Sequence, residues 1–197
     1  RIAVIYRPER LRGNDLNIDF RIGVFDIISG RTDDLALPPL PSDCSPKPSG
    51  ITELARLPNG ALGFIFFCHG RGLSGTMYVW DNSKNSFIKL QNLPNFLPRS
   101  FSFSPNMSQF IVENGKGDGL NNELYLVDSE KTIKQVVQGF KRAGSPAWSP
   151  DGTIIAFAGT KEYPGDSDIT TWDDIESQLY HPWDIYVMDT DLRNVRI

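Results

Sequence analysis

The feature that most constrains this chain is a short apolar run ending on aspartate, present four times. Ile185-Tyr186-Val187-Met188-Asp189 is preceded by Leu124-Tyr125-Leu126-Val127-Asp128 and by Met77-Tyr78-Val79-Trp80-Asp81. A weaker copy is Ile22-Gly23-Val24-Phe25-Asp26. Each run has strand length and is rich in β-branched and aromatic residues. Each stops at an Asp, whose carboxylate can bond its own backbone and open a turn. A second element precedes three of the runs: Leu57-Pro58-Asn59-Gly60, Phe103-Ser104-Pro105-Asn106 and Trp148-Ser149-Pro150-Asp151-Gly152. Proline presets φ for a turn, and Gly or Asn accepts positive φ. After each turn comes a further strand: Ala61 to Cys68, Gln109 to Glu113, Ile154 to Gly159. The prolines stand at 58, 105 and 150, a period of 45 to 47 residues.

That period, with four strands per unit, predicts an all-β chain: a β-propeller of four-stranded antiparallel blades. Strand A runs into the Pro turn, B follows it, C ends on Asp, and D comes after. The D strands are expected at Thr32 to Leu37, Ser86 to Gln91, Ile133 to Gln138 and, as a start, Asn194 to Ile197. A single domain over residues 1–197 is expected, with blades at roughly 1–37, 51–92, 98–139 and 145–197. Arg1 to Tyr6 reads as a B strand and the chain ends within a D strand, so the first and last of these four blades are expected to be incomplete. Incomplete blades expose strand edges that further chain or a partner has to cover.

Composition agrees with this reading. The chain has 197 residues, 40% hydrophobic and 22% charged, with 14 prolines and 17 glycines. That is globular composition with many turns. A net charge of −4 argues against nucleic-acid binding. No run of eighteen apolar residues is present, so no membrane-spanning helix is expected. Cys68 closes an apolar run and reads as a small buried hydrophobe, whereas Cys44 sits in a proline-rich segment. Whether the two pair is left open, because a bridge needs their Cα atoms within about 7 Å.

The last blade, with Ser145-Pro146-Ala147-Trp148-Ser149-Pro150-Asp151-Gly152, then Ile154 to Ala158, then Trp183 to Asp189, resembles the repeat of the Tol-B propeller family. That repeat also occurs in the propellers of prolyl oligopeptidases and dipeptidyl peptidases. The third blade departs with Met107 where glycine is usual, and the second with Arg56 and Leu57 for the aromatic and the serine. The resemblance implies a protein-binding platform in the bacterial envelope, periplasmic or secreted. It supplies no catalytic residue.

The residues themselves show no catalytic set. There is no Gly-x-Ser-x-Gly elbow, so a peptidase reading places the catalytic domain outside this chain and leaves the propeller to gate substrates. No Cys-x-x-Cys or His-Glu-x-x-His occurs, and the two histidines, His69 and His181, lie far apart at strand ends. No cofactor or metal is expected. The glycine-rich stretches at 70–72 and 115–119 read as loops between B and C strands.

One segment stands out as a candidate contact surface. The connection between B and C of the last blade, Lys161 to Pro182, carries Glu162, Asp166, Asp168, Asp173, Asp174 and Glu176 against the single base Lys161. Asp166-x-Asp168 begins an EF-hand-like order, but the glycine that such a loop needs does not follow. The segment therefore reads as a solvated loop or a contact for a basic partner, ahead of a metal site. In an up-and-down blade, B–C and D–A connections share one face. The long segments Arg7 to Asp19, Pro38 to Gly50 and Lys161 to Pro182 are all of these two kinds, and long loops on a rigid scaffold carry function. A protein partner on that face is the first expectation; a small molecule or peptide in the central channel is a third reading. The expected core is Phe64, Phe66, Tyr78, Trp80, Tyr125, Val127, Trp148, Phe157, Tyr186 and Met188, with Ile65, Val79, Leu126 and Val187 buried on the opposite faces.

Overall fold

The computed structural model describes residues 2–6, 21–39, 50–69, 73–115, 122–161 and 183–197. The described residues form fourteen strands and no helix. They group into two compact units, 1–96 and 97–197. In the first unit, β1 (Ile2–Tyr6), β2 (Arg21–Phe25) and β3 (Thr32–Leu35) make a three-stranded antiparallel sheet. A four-stranded sheet follows, in the order β4 (Gly50–Arg56), β5 (Leu62–His69), β6 (Leu73–Asp81) and β7 (Ser86–Pro94). In the second unit, β8 (Pro98–Phe103), β9 (Phe110–Gly115), β10 (Asn122–Val127) and β11 (Ile133–Gln135) form the next blade. Strands β12 (Arg142–Trp148), β13 (Ile154–Thr160) and β14 (Asp184–Asp189) form the last. A single parallel bridge, Asn122 to Arg142, ties β12 to β10. Its fourth strand is begun by the bridge between Val187 and Arg196. This is the all-β propeller architecture, with strands B, C and D in the first blade, A to D in the second and third, and A to C with the start of D in the last.

The turns form for the reasons legible in the sequence. At the end of the first three C strands an Asp carboxylate collects backbone donors, whereas the carboxylate of Asp189 takes the side chains of Asn194 and Arg196. Asp26 accepts from the N–H groups of Ile28 and Ser29 at 3.0 and 2.9 Å. Asp81 accepts from Ser83, and Asp128 from Glu130 and Thr132. The A–B turns of the second unit are near copies. Ser149 Oγ donates to Asp151 at 2.6 Å and accepts from the N–H of Ile154 at 2.9 Å. Ser104 Oγ donates to Asn106 at 2.8 Å and accepts from the N–H of Gln109 at 3.1 Å. The left-handed position is Gly152 at φ 74° in one turn and Met107 at φ 62° in the other. In the second blade Leu57 replaces the serine. The backbone still closes from Leu57 N–H to the Ala61 carbonyl, but no hydroxyl supports it.

Each unit has its own core. In the first, Ile22 of β2 packs with Phe64, Phe66, Cys68, Tyr78 and Phe87. Phe64 stacks on Tyr78 at 5.2 Å and meets the edge of Phe87 at 4.7 Å. In the second, Ile111 and Leu124 of one blade pack with Ile155, Phe157, Tyr186 and Met188 of the next. Sheet-on-sheet packing of this kind is what a propeller uses to bury both faces of a blade. Cys68 is buried and disulfide-bonded; Cys44 lies outside the described residues.

The expected core is partly corrected. Phe64, Phe66, Tyr78, Val127, Phe157, Tyr186 and Met188 are buried, as is Ile65. Trp80, Tyr125, Trp148, Val79, Leu126 and Val187 are only half-buried. In β10 the fully buried side chains are Leu124 and Val127, while the Tyr125 hydroxyl donates to Glu123 at 2.7 Å. A phenol needs a polar partner at its tip, so its end is drawn toward water and the aliphatic neighbour fills the interior.

Candidate functional site

The B–C and D–A connections of the second unit leave from one face by strand order, and two built constellations stand there. The first is a buried carboxylate. Glu113, near the end of β9, is 6% exposed. Its Oε2 accepts from Ser100 Oγ of β8 at 2.5 Å and from the Ser145 N–H of β12 at 3.0 Å. Its Oε1 accepts from Asn122 Nδ2 of β10 at 2.6 Å. Four strands from two blades thus converge on one side chain. The space is reserved for it: a Cβ on Gly144 would stand 2.6 Å from the carboxyl carbon. Ser145 takes φ 51°, at the irregularity between Gly144 and Ala147. The chain leaves its regular register where the carboxylate needs a backbone donor.

The second constellation is aromatic. Phe140 lies in the D–A connection that enters β12, following Gly139 at φ 77°. Its ring meets Tyr186 edge-on at 4.8 Å and 89°, and Phe157 at 5.3 Å and 73°. Phe157 in turn stacks on Tyr186 at 5.6 Å. Gly159 makes room, since a Cβ there would meet the Phe140 ring at 2.9 Å. Above this platform lies Lys161, whose Nζ is 5.2 Å from the Phe140 centroid and 5.4 Å from that of Tyr186. Burial pushes the Tyr186 hydroxyl pKa up, and the charge of Asp184 adds to the shift. Lys161 and Asp184 are the described residues nearest in sequence to each end of the acidic connection, apart from Trp183.

The acidic residues themselves, Glu162, Asp166, Asp168, Asp173, Asp174 and Glu176, lie outside the described residues, as does His181. So do most of the other two long segments. Among the described residues, no group of three or more His, Cys, Asp or Glu side chains is placed to hold a metal ion. No helix among them is long and apolar enough to cross a membrane. On the opposite face, between the two A–B turns of the second unit, a cavity of about 300 Å³ is lined by Ser104, Asn106, Gln109, Trp148, Asp151 and Thr190.

Sequence reading assigned Tyr186 to the core and noted Lys161 only as a lone base; it missed Phe140 and Glu113. A local signal exists for Phe140. Asn95-Phe96 at the preceding D–A connection has the same form as Gly139-Phe140, a left-handed residue before a phenylalanine, with Asn95 at φ 62°. Glu113 has no local signal, because its partners are 9 to 32 residues away.

These features define a propeller built of up-and-down four-stranded blades. No family model matches the sequence, and no curated protein matches it. Solved structures do. TolB from Acinetobacter baumannii superposes with a TM-score of 0.56 at 15% identity, over 90% of this chain and 37% of that one. The β-propeller domain of the trilobed protease from Pyrococcus furiosus gives a TM-score of 0.50 at 13% identity, over 76% of this chain and 42% of that one. The chain has the fold of a TolB-like β-propeller and spans well under half the length of either structure.

Proposed function

We propose that this chain is a non-enzymatic protein-interaction scaffold, with residues 1–197 forming consecutive blades of one propeller domain. It binds a basic protein partner through the face that carries the B–C and D–A connections, using Glu162, Asp166, Asp168, Asp173, Asp174 and Glu176. The observation that carries this reading is the root of the acidic connection. Lys161 leaves β13 over a packed trio of rings, so a strongly acidic segment is mounted on a rigid base. Rigid scaffolds that present long loops are the usual design of binding surfaces. A periplasmic or secreted setting is supported by the disulfide at Cys68, since such bonds persist in oxidising compartments.

Charge attraction acts over roughly 8–10 Å at physiological salt and mainly speeds encounter. Association with a partner cross-linked in its native extract should therefore slow as salt rises. Neutralising Asp166, Asp168, Asp173 and Asp174 together should flatten that dependence. Deletion of Gly165 to Gln178 with no loss of association would sink the proposal. A rise in melting temperature on adding calcium, abolished by Asp166→Ala and Asp168→Ala, would replace the partner with a metal.

A second reading is favoured by the likeness to a protease propeller domain: a substrate-gating domain of a serine peptidase. A Gly-x-Ser-x-Gly elbow followed by Asp and His, encoded downstream of Ile197, would select it.

A further inference from the structure

The ammonium of Lys161 rests over two aromatic rings of its own chain, and those rings are held whether or not it is there. Phe140 and Tyr186 stand edge to face, both braced by Phe157. Gly159 below them admits the Phe140 ring. The N–H of Lys141 bonds the carbonyl of Thr160 at 2.9 Å, which fixes the D–A connection beside the start of the B–C connection. A cation within about 6 Å of a ring face is attracted by the ring's quadrupole, and two rings meeting at a right angle attract one cation together. Asp184 adds a negative charge close enough to act on Tyr186. The arrangement has the elements of a cation seat: two π-faces and a rigid floor.

Lys161 itself is exposed and has no ion pair among the described residues. Its hold on the rings is the weak contact of a solvated side chain, so an external cation can take its place.

We propose that Phe140 and Tyr186 form a seat for an ammonium or guanidinium side chain of a basic protein partner, closed in the free protein by Lys161. This rests on the partner reading above and adds the chemistry of one anchoring contact. Docking exchanges Lys161 for the partner's cation.

The test uses the whole chain and no partner. Tetramethylammonium chloride is titrated into the wild type, Lys161→Ala and Lys161→Gln, with sodium chloride at equal ionic strength as control. The readout is the NMR shift of the Phe140 and Tyr186 ring protons. The two variants alter an exposed side chain, and an unchanged melting temperature confirms that they fold. Saturable ring shifts are expected in both variants, with affinity roughly two- to five-fold above wild type, the factor that an exposed cation–π contact supplies. Phe140→Leu in the Lys161→Ala background should abolish them. Shifts no larger than those with sodium chloride would overturn the seat, and equal affinity in wild type and variants would overturn the closure by Lys161. Either failure leaves the acidic surface to be judged by its own deletion.

Discussion

The Ser145 N–H donates to the carboxylate of Glu113 at 3.0 Å, tying the first strand of one blade to the second strand of the blade before it. The same carboxylate also takes the Ser100 hydroxyl and the Asn122 amide. Removing it strands three donors, one buried and two partly buried. Glu113→Ala should cost about 3 kcal/mol, since each unsatisfied buried group carries about 1–3 kcal/mol and some will rehydrate in the space left. Glu113→Gln should cost about 1 kcal/mol or less. Among the described residues Asn122 Oδ1 is buried without a hydrogen-bond partner, so a flipped Asn122 amide can accept from the new glutamine. Chemical denaturation of both variants checks this, and equal losses would refute the role of Asn122.

Gly144→Ala should clash with the same carboxylate, because the new Cβ would lie 2.6 to 2.8 Å from its atoms. The loss should be about 1–3 kcal/mol, as for other overpacked sites. In a Glu113→Ala background most of that loss should vanish. A double-mutant cycle with a coupling near zero would show that the glycine serves some other purpose.

Met107 occupies the left-handed place that Gly152 fills in the next blade. A side chain there costs about 1–2 kcal/mol in backbone strain. Glycine relieves it but loses more entropy on folding, so Met107→Gly should stabilise by about 0.5–1 kcal/mol. The converse, Gly152→Ala, should destabilise by about 1 kcal/mol. Thermal melts of the pair should move in opposite directions; a drop for Met107→Gly would mean that the methionine side chain contributes packing that outweighs its strain.

Trp148 is half-buried, and its indole Nε1 has no hydrogen-bond partner among the described residues. Trp148→Phe discards that donor while keeping an aromatic ring, so it should change stability by less than about 1 kcal/mol. Trp148→Ala should lose less than the 3–5 kcal/mol of a fully buried large aromatic. Equilibrium unfolding that showed a full-sized loss for the phenylalanine variant would reveal a bond made by the indole N–H in solution.

Stability should form a plateau in pH with two separate edges. Tyr125 is pushed up to about 12, first by burial and then by its bond to Glu123, and Tyr78 and Tyr186 are raised by burial. A raised folded-state pKa gives stability that is complete below the unfolded value and fades as pH climbs through the folded one. The alkaline edge should therefore lie between about 10 and 12, the unfolded phenol value and that of Tyr125. Tyr125→Phe should make it shallower. At the acid edge, Asp81, Asp151 and Asp189 are lowered, first by side-chain hydrogen bonds from Ser83, Ser149 and Asn194. Their contribution is present above the ordinary carboxylate value of 3.8 and is lost as pH falls below it. Ser149→Ala should blunt that acid dependence; an unchanged acid limb in pH-dependent melts would argue against the turn assignment.

The sequence by itself determined the blade plan. An apolar run closed by Asp, and a Pro turn followed by Asn, Asp or Gly, act within about five residues of chain. Their hydrogen bonds, such as Asp26 to Ile28 and Ser149 to Ile154, are local. Repetition of these signals near 45 residues therefore revealed the strand order before any packing was known. Tertiary structure decided what lies between blades. Leu124 rather than Tyr125 fills the interior because the facing sheet supplies Ile155 and Met188, and no spacing within β10 encodes that neighbour. Glu113 looked like an ordinary strand residue, since its partners come from three other strands. The platform under Lys161 needed a D–A connection, a B strand and a C strand brought to one edge. Contacts of that kind depend on how sheets stack, and stacking is set by the whole set of side chains on two faces.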